Sequence, residues 1–273
     1  MVDVSDRRGD APEASVFDSD TGCVPDGRAR WRAALSDRWS VRAGVPNGGY
    51  LLATCVRALA GELPFPDPIA VSGHFLRPGR VGEAELATQV LRAGRRMAVA
   101  DCLLSQDEQR ALRVVATFAD LGNPAGRTRL RNSPPELPAP ERCVSATSGI
   151  ELGGASIAEQ VEIRFAELPA WRLGRSDDVA DVAYWMRFAD GRPTDVLALP
   201  LLVDAAPPVV WEIGEATSVT VELTVHVRAR PAAGWLACRS RTRHRMSGYH
   251  EEDAEIWDSG GVLVAQSRQL AIV

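Results

Sequence analysis

The sequence contains no lysine: all 31 of its basic residues are arginine. We read that uniformity as GC-biased codon usage, not as a physical requirement. Cysteine and histidine are also scarce. The five cysteines, Cys23, Cys55, Cys102, Cys143 and Cys238, are odd in number, far apart and free of any C-x-x-C pair. That excludes the common zinc and dithiol-redox patterns, so no metal site and no cofactor is expected. Cys55, Cys102 and Cys238 lie in apolar runs and read as small core residues, and a reducing compartment fits this usage. There is no G-x-S-x-G nucleophile elbow, and no histidine stands near a plausible serine in the sequence. No apolar run is long enough for a signal peptide or a membrane span, so the expected setting is cytoplasmic, without a membrane partner. Positive charge is not in excess either: the net charge is −5, which argues against nucleic acid as a partner.

What is present is a chain of 273 residues, long enough for about two units of roughly 150 residues each. Residues 122–154 are rich in Pro, Gly, Ser and Arg and read as a linker. Residues 1–14 read as a disordered start. The remaining segments, 15–121 and 155–273, look alike. His74 and His226 are 152 positions apart, and so are Ala119 and Ala271. This spacing marks an internal duplication. Each half has a helix candidate followed by a run of strands: 48–61 on the left and about 193–205 on the right. In "SVTVELTVHV", Val219, Val221, Leu223, Val225 and Val227 alternate with polar residues, as in a strand with one buried face. "RAGRR" and "RMSGY" read as hairpin turns. A half-apolar sheet and an apolar helix are best reconciled by wrapping the sheet round the helix, and two such sheets could join at their edges.

The stretch "VPNGGYLLATCVRALAG" adds a puzzle. It reads as a helix that is apolar nearly all round, yet it opens on Gly48-Gly49. Each glycine costs about 1 kcal/mol relative to alanine inside a helix. Either the helix head packs unusually closely, or a ligand atom approaches its free N–H groups.

In their order and spacing, "GGYLLA", "HFLRPG", "LLVDAAPP", "SVTVELTVHVRARP" and "DSGGVLVAQSRQLA" resemble segments of the acyl-CoA thioesterase II family, in its thioesterase-like branch. The resemblance covers about residues 17–273 apart from the linker. It implies an α+β double hotdog, two tandem antiparallel sheets each wrapped round a central helix. It also implies hydrolysis of an acyl-CoA thioester to a free acid and CoA. Family members often assemble further, so a homo-oligomer is an open expectation. The family's site is an Asp, a Thr or Ser, and a Gln around a hydrolytic water. These fall on Asp204, Thr220 and Gln269, with Gly48 and Gly49 as candidate oxyanion donors.

On that reading Asp204 polarises or deprotonates the water while Thr220 and Gln269 orient it. Asp204 stands at the end of its helix candidate, and burial there should raise its pKa. Pro200 should kink that helix or mark its true start. Thr220 has the outward parity of Glu222 and His226, so a bulge is needed to turn it inward. Ser218 and Thr224 are rival hydroxyls. Gln266 is a rival to Gln269, but Gln269 shares a small, largely apolar face with Leu263, Ala265 and Ala271. The left half lacks the Asp/Thr/Gln set, so one working site per chain is expected, dominated by the second half. His74 and His226 are expected to be structural, and "RTRHRMSGYH" is either a solvated hairpin or a contact for a CoA phosphate. The alternative function is a non-catalytic acyl-CoA-binding or scaffolding protein on the same frame. A dehydratase ranks lower, because no histidine follows Asp204 in the way that chemistry needs.

Overall fold

The computed structural model describes residues 15–42, 44–123 and 126–273; the expected disordered start, residues 1–14, lies outside them. The alternating segments form strands β1 (Arg30–Leu35), β2 (Asp67–Phe75), β3 (Gly82–Ala93), β4 (Ala98–Gln106) and β5 (Gln109–Ala119) in the first half. The second half contributes β6 (Val161–Phe165), β7 (Ala180–Phe188), β8 (Val219–Val227), β9 (Leu236–Thr242), β10 (Tyr249–Trp257) and β11 (Leu263–Ile272). In space the first half runs β1-β3-β4-β5-β2 and the second β8-β11-β10-β9-β7-β6. The path β1-β3-β4-β5-β2 recurs as β7-β9-β10-β11-β8, so the duplication read from the His and Ala spacing is a duplication of topology.

The two halves do not keep separate sheets. β2 pairs with β8, antiparallel, and this seam fuses both halves into one 14-stranded antiparallel sheet, with a small two-stranded ribbon, Ser40–Arg42 and Val45–Pro46, apart from it. Ser72 faces Thr224 in the seam. These two are 152 residues apart, the repeat offset itself, and their hydroxyls lie 3.2 Å from each other. Both hydroxyls also donate to Glu222 Oε1, at 2.9 and 2.6 Å. The pseudo-twofold relation therefore passes through this pair. The seam removes two exposed sheet edges that would otherwise invite pairing with other chains.

The expectation of a central helix in each half needs correction. The first-half helix is real, Gly48–Ala60, and packs against β2, β3, β4 and β5. Asn47 caps it, its Oδ1 accepting from the Tyr50 N–H at 3.0 Å. Ten of its thirteen residues are buried, so tertiary burial outweighs the weak propensity of its glycine start. In the second half the expected helix over 193–205 shrinks to Leu199–Leu202. Pro200 lies in its first turn, marking the true start, and the Ala205–Pro208 run cannot continue it. This short helix packs against the long one. In the expected linker, Val144–Ser145 adds a two-residue strand beside β6. No helix among the described residues is long and apolar enough to cross a membrane.

Candidate active site

The short helix delivers Asp204 to the head of the long helix. Asp204 Oδ2 accepts from the Gly49 backbone N–H at 2.7 Å and from Asn47 Nδ2 at 3.1 Å, and Asn47 Nδ2 also reaches the Asp204 carbonyl at 2.8 Å. The two glycines are needed for this approach. A Cβ on Gly49 would lie 2.8 Å from both Asp204 Cβ and the Leu201 carbonyl oxygen, closer than side-chain carbons come. A Cβ on Gly48 would lie 3.0 Å from the Phe75 ring and 3.1 Å from Asp204 Oδ2. The close-packing explanation of Gly48-Gly49 is thus met directly. The expectation that both N–H groups await a ligand is corrected for Gly49, whose N–H is taken by Asp204. Gly48 N–H and Asp204 Oδ1 make no hydrogen bond to protein among the described residues.

Asp204 sits at the C-terminal side of its own short helix but faces the N-terminal end of the long one, where the dipole favours an anion. Burial still dominates. It pushes the Asp204 carboxyl up to about 6, against the Gly49 N–H and Asn47 bonds, which favour the charged form.

Thr220 and Gln269 meet on the inner face of the sheet. The register of β8 against β11 shifts between Thr220 and Glu222, so Thr220 stands opposite Ala271 while Leu223 stands opposite Gln269. This is the bulge that the outward parity of Thr220 required. Thr220 Oγ1 then donates to Gln269 Oε1 at 2.9 Å, leaving the Gln269 amide nitrogen without a protein partner among the described residues. Gln269 is buried, whereas Gln266 lies on the other face and reaches toward Glu255 at 3.3 Å. Thr224 is committed to the seam.

Three further residues escaped sequence reasoning. Asn47 holds Asp204 and caps the long helix; an Asn directly before a helix is itself a capping signal. Glu252 is a second buried carboxyl, opposite Gln269 on the neighbouring strand β10. Its Oε2 accepts from the Val209 N–H at 2.9 Å, on the segment that continues from Asp204 through Pro207-Pro208. In "YHEEDAEIW" only Ala254 and Ile256 mark the inner face by alternation, and Glu252 falls in phase with them. Burial pushes the Glu252 carboxyl up to about 8, and the charge of Asp204 adds to the rise. Finally, Ser218 Oγ lies 2.9 Å from His250 Nε2, with Thr242 Oγ1 at 3.3 Å from Nδ1. The fold thus brings together a serine and a histidine that are 32 residues apart in the chain. Burial lowers the His250 pKa, favouring the neutral ring.

The five candidates thus form two groups. Asp204 joins Gly48 and Gly49, and Thr220 joins Gln269. Glu252 lies between them. The first group draws on both halves of the chain, Gly48 and Gly49 from the first and Asp204 from the second. A cavity of about 10 Å³, room for about one water, adjoins the segment after Asp204 and is lined by Phe165, Trp171, Val182, Tyr184, Pro207 and Val209 among others. The basic hairpin is largely neutralised, Arg243 pairing with Asp253 and Arg245 with Glu215. His74 and His226 are exposed and take no part in the site.

Residues 35–119 match the acyl-CoA thioesterase N-terminal domain family and residues 140–273 the acyl-CoA thioesterase C-terminal domain family. An uncharacterised protein of Mycobacterium tuberculosis is 30% identical over 262 residues, 88% of this chain and 89% of the relative. Among solved structures, a candidate thioesterase II from Thermobifida fusca is 31% identical with a TM-score of 0.85, covering 94% of this chain and 97% of the other. A hot dog fold protein of unknown function from Alicyclobacillus acidocaldarius has a TM-score of 0.84 at 22% identity, covering 95% and 98% of the two chains. An acyl-CoA thioesterase II from Mycobacterium marinum has a TM-score of 0.74 at 15% identity, covering 94% and 97%. These last two likenesses concern the fold alone.

Proposed function

The chain belongs to the acyl-CoA thioesterase family, and from that premise we propose that it hydrolyses acyl-CoA thioesters with a water held by Asp204, Thr220 and Gln269. The observation that carries this reading is the docking of a half-buried carboxylate, Asp204, against the head of a helix that keeps one N–H unpaired among the described residues. In the proposed reaction Asp204 Oδ1 takes a proton from the water as its oxygen attacks the thioester carbon. Thr220 and the Gln269 amide fix the direction of attack. The oxyanion forms where Gly48 N–H and the helix dipole can stabilise it. Collapse of the tetrahedral intermediate breaks the C–S bond, and the CoA thiolate leaves with the proton returned by Asp204. The products are a carboxylic acid and CoA, with no covalent enzyme intermediate.

The test is thiol release from a panel of acyl-CoAs, short to long, with wild type and Asp204→Asn side by side. A loss of about 100-fold or more in the variant, the scale of general-base catalysis, supports both reaction and site. Release unaffected by the substitution would overturn the site. A folded protein that binds acyl-CoA without releasing thiol would instead favour the non-catalytic acyl-binding reading.

A further inference from the structure

Glu252 lies between the two groups of site residues, paired across the strands with Gln269 and near enough to Asp204 to feel its charge. It projects from β10 on the same inner face as Gln269, its cross-strand neighbour. Its carboxylate also binds the Val209 N–H at 2.9 Å, five residues beyond Asp204. Between Asp204 and Val209 the chain is stiffened by Pro207 and Pro208, so a bond at Val209 constrains where Asp204 sits. A buried glutamate costs stability unless it is neutral or paired, and among the described residues Glu252 pairs with no arginine.

We propose that Glu252 is a positioning residue for the site, fastening the segment behind Asp204 to the strand beside Gln269 while presenting no second negative charge to the reacting centre. This rests on the thioesterase reading given above. The physical reason is the charge that the reaction builds. Attack by water moves the negative charge of the Asp204 carboxylate, which takes the proton, onto the oxyanion at the helix head. A second carboxylate there would oppose it, and would draw the free Gln269 amide hydrogens away from the water. Neutral Glu252 does neither.

The ionisable and charged groups facing Glu252 support a neutral working state. Asp204 approaches from the segment after the short helix and Tyr184 from β7, while Asp253, next on β10 but on its opposite face, acts by charge through the strand. All three are acids, and the neighbouring Gln269 on β11 is uncharged. Asp204, pushed up to about 6, ionises before Glu252, pushed up to about 8. Over the interval between them one carboxyl is a base and the other is still an acid, a separation typical of paired catalytic carboxyls.

Glu252→Gln keeps an oxygen acceptor for the Val209 N–H and cannot ionise. In wild type, kcat/KM should fall by about tenfold from pH 7 to pH 9, as an ionisation near pH 8 dictates. In Glu252→Gln that alkaline fall should vanish while the acid limb set by Asp204 stays. Glu252→Leu, which lacks the acceptor, should lose kcat with KM less affected, and the Gln variant should restore it. An alkaline limb identical in wild type and Glu252→Gln overturns the proposal. So does a Leu variant that is folded and fully active. A second readout separates this from failure of the thioesterase reading. Carboxyl carbon NMR of labelled Glu252 should give a midpoint near 8, which falls in Asp204→Asn as a nearby negative charge is removed. A Glu252 that titrates as an ordinary exposed carboxylate overturns the assignment whether or not the protein turns over a thioester.

Discussion

The carboxylate of Asp204 lies 2.7 Å from the backbone N–H of Gly49, although the two residues belong to opposite halves of a duplicated chain. This contact explains both ends of the puzzle at the helix head. The glycines let a second-half backbone come within van der Waals reach, and the helix terminus supplies the polar partner that a buried carboxylate requires.

Gly49→Ala should therefore disrupt more than helix propensity would gain. Alanine favours a helix by about 1 kcal/mol over glycine, but a Cβ here meets the Leu201 carbonyl and Asp204 Cβ, both at 2.8 Å. Overpacking of backbone typically costs about 1–3 kcal/mol. Urea denaturation should show a net loss of stability, and thiol release should fall with it because Asp204 is displaced.

The acid limb of activity should report Asp204. Its carboxyl, pushed up to about 6 by burial, must be ionised to act as a base, so kcat/KM should rise with pH through about 6 and level off above. Asn47→Ala removes a donor that favours the anion. The limb should then move to higher pH, and the lost helix cap should lower stability by about 1 kcal/mol. A pH–rate profile of the two proteins checks the direction.

Thr220 and Gln269 should behave as one unit. Thr220→Val and Gln269→Leu each remove one end of a 2.9 Å hydrogen bond, so a double-mutant cycle on kcat should be strongly non-additive. Thr220→Ser keeps the hydroxyl and should retain most activity. Additive losses would mean that the two side chains act separately.

Stability should also carry the mark of the buried acids. Both Asp204 and Glu252 have folded pKa values above their unfolded ones, so the folded state binds more protons. Their contribution is fully present below about pH 4 and is lost as pH rises, through about 6 for Asp204 and about 8 for Glu252. Asp204→Asn and Glu252→Gln should each gain stability relative to wild type at pH 8, by about 2 kcal/mol or more, and little at pH 4. Urea midpoints at the two pH values measure this.

The repeat spacing, the strand alternation and the long apolar helix were all legible, because each rests on local periodicity. The β-bulge at Thr220 was legible only as a requirement. Alternation states which face a residue should occupy, but a single extra residue in the pairing reverses it. The truncated second helix was misjudged in length, because Pro200 and the Ala205–Pro208 run limit it more severely than its apolar character suggested. Asn47 reads in the sequence only as a helix cap, because the Asp204 it holds lies 157 residues away. Glu252 and the Ser218–His250 pair were hidden for a different reason: a charged or polar residue on the inner face of a strand looks like an exposed one until the neighbouring strands are in place.

The seam centred on Ser72 and Thr224 has a consequence for engineering. The two halves repeat one topology about the seam. Their side chains differ: the first half supplies the helix head, the second the acids. Neither half alone carries the whole of the proposed site. Self-association of either half alone could rebuild the seam but not the site. Complementation between the two unlike fragments, cut within the 122–154 connection, is the arrangement that would bring the parts together again. In this sense the single chain is a heterodimer whose partners can no longer be lost separately.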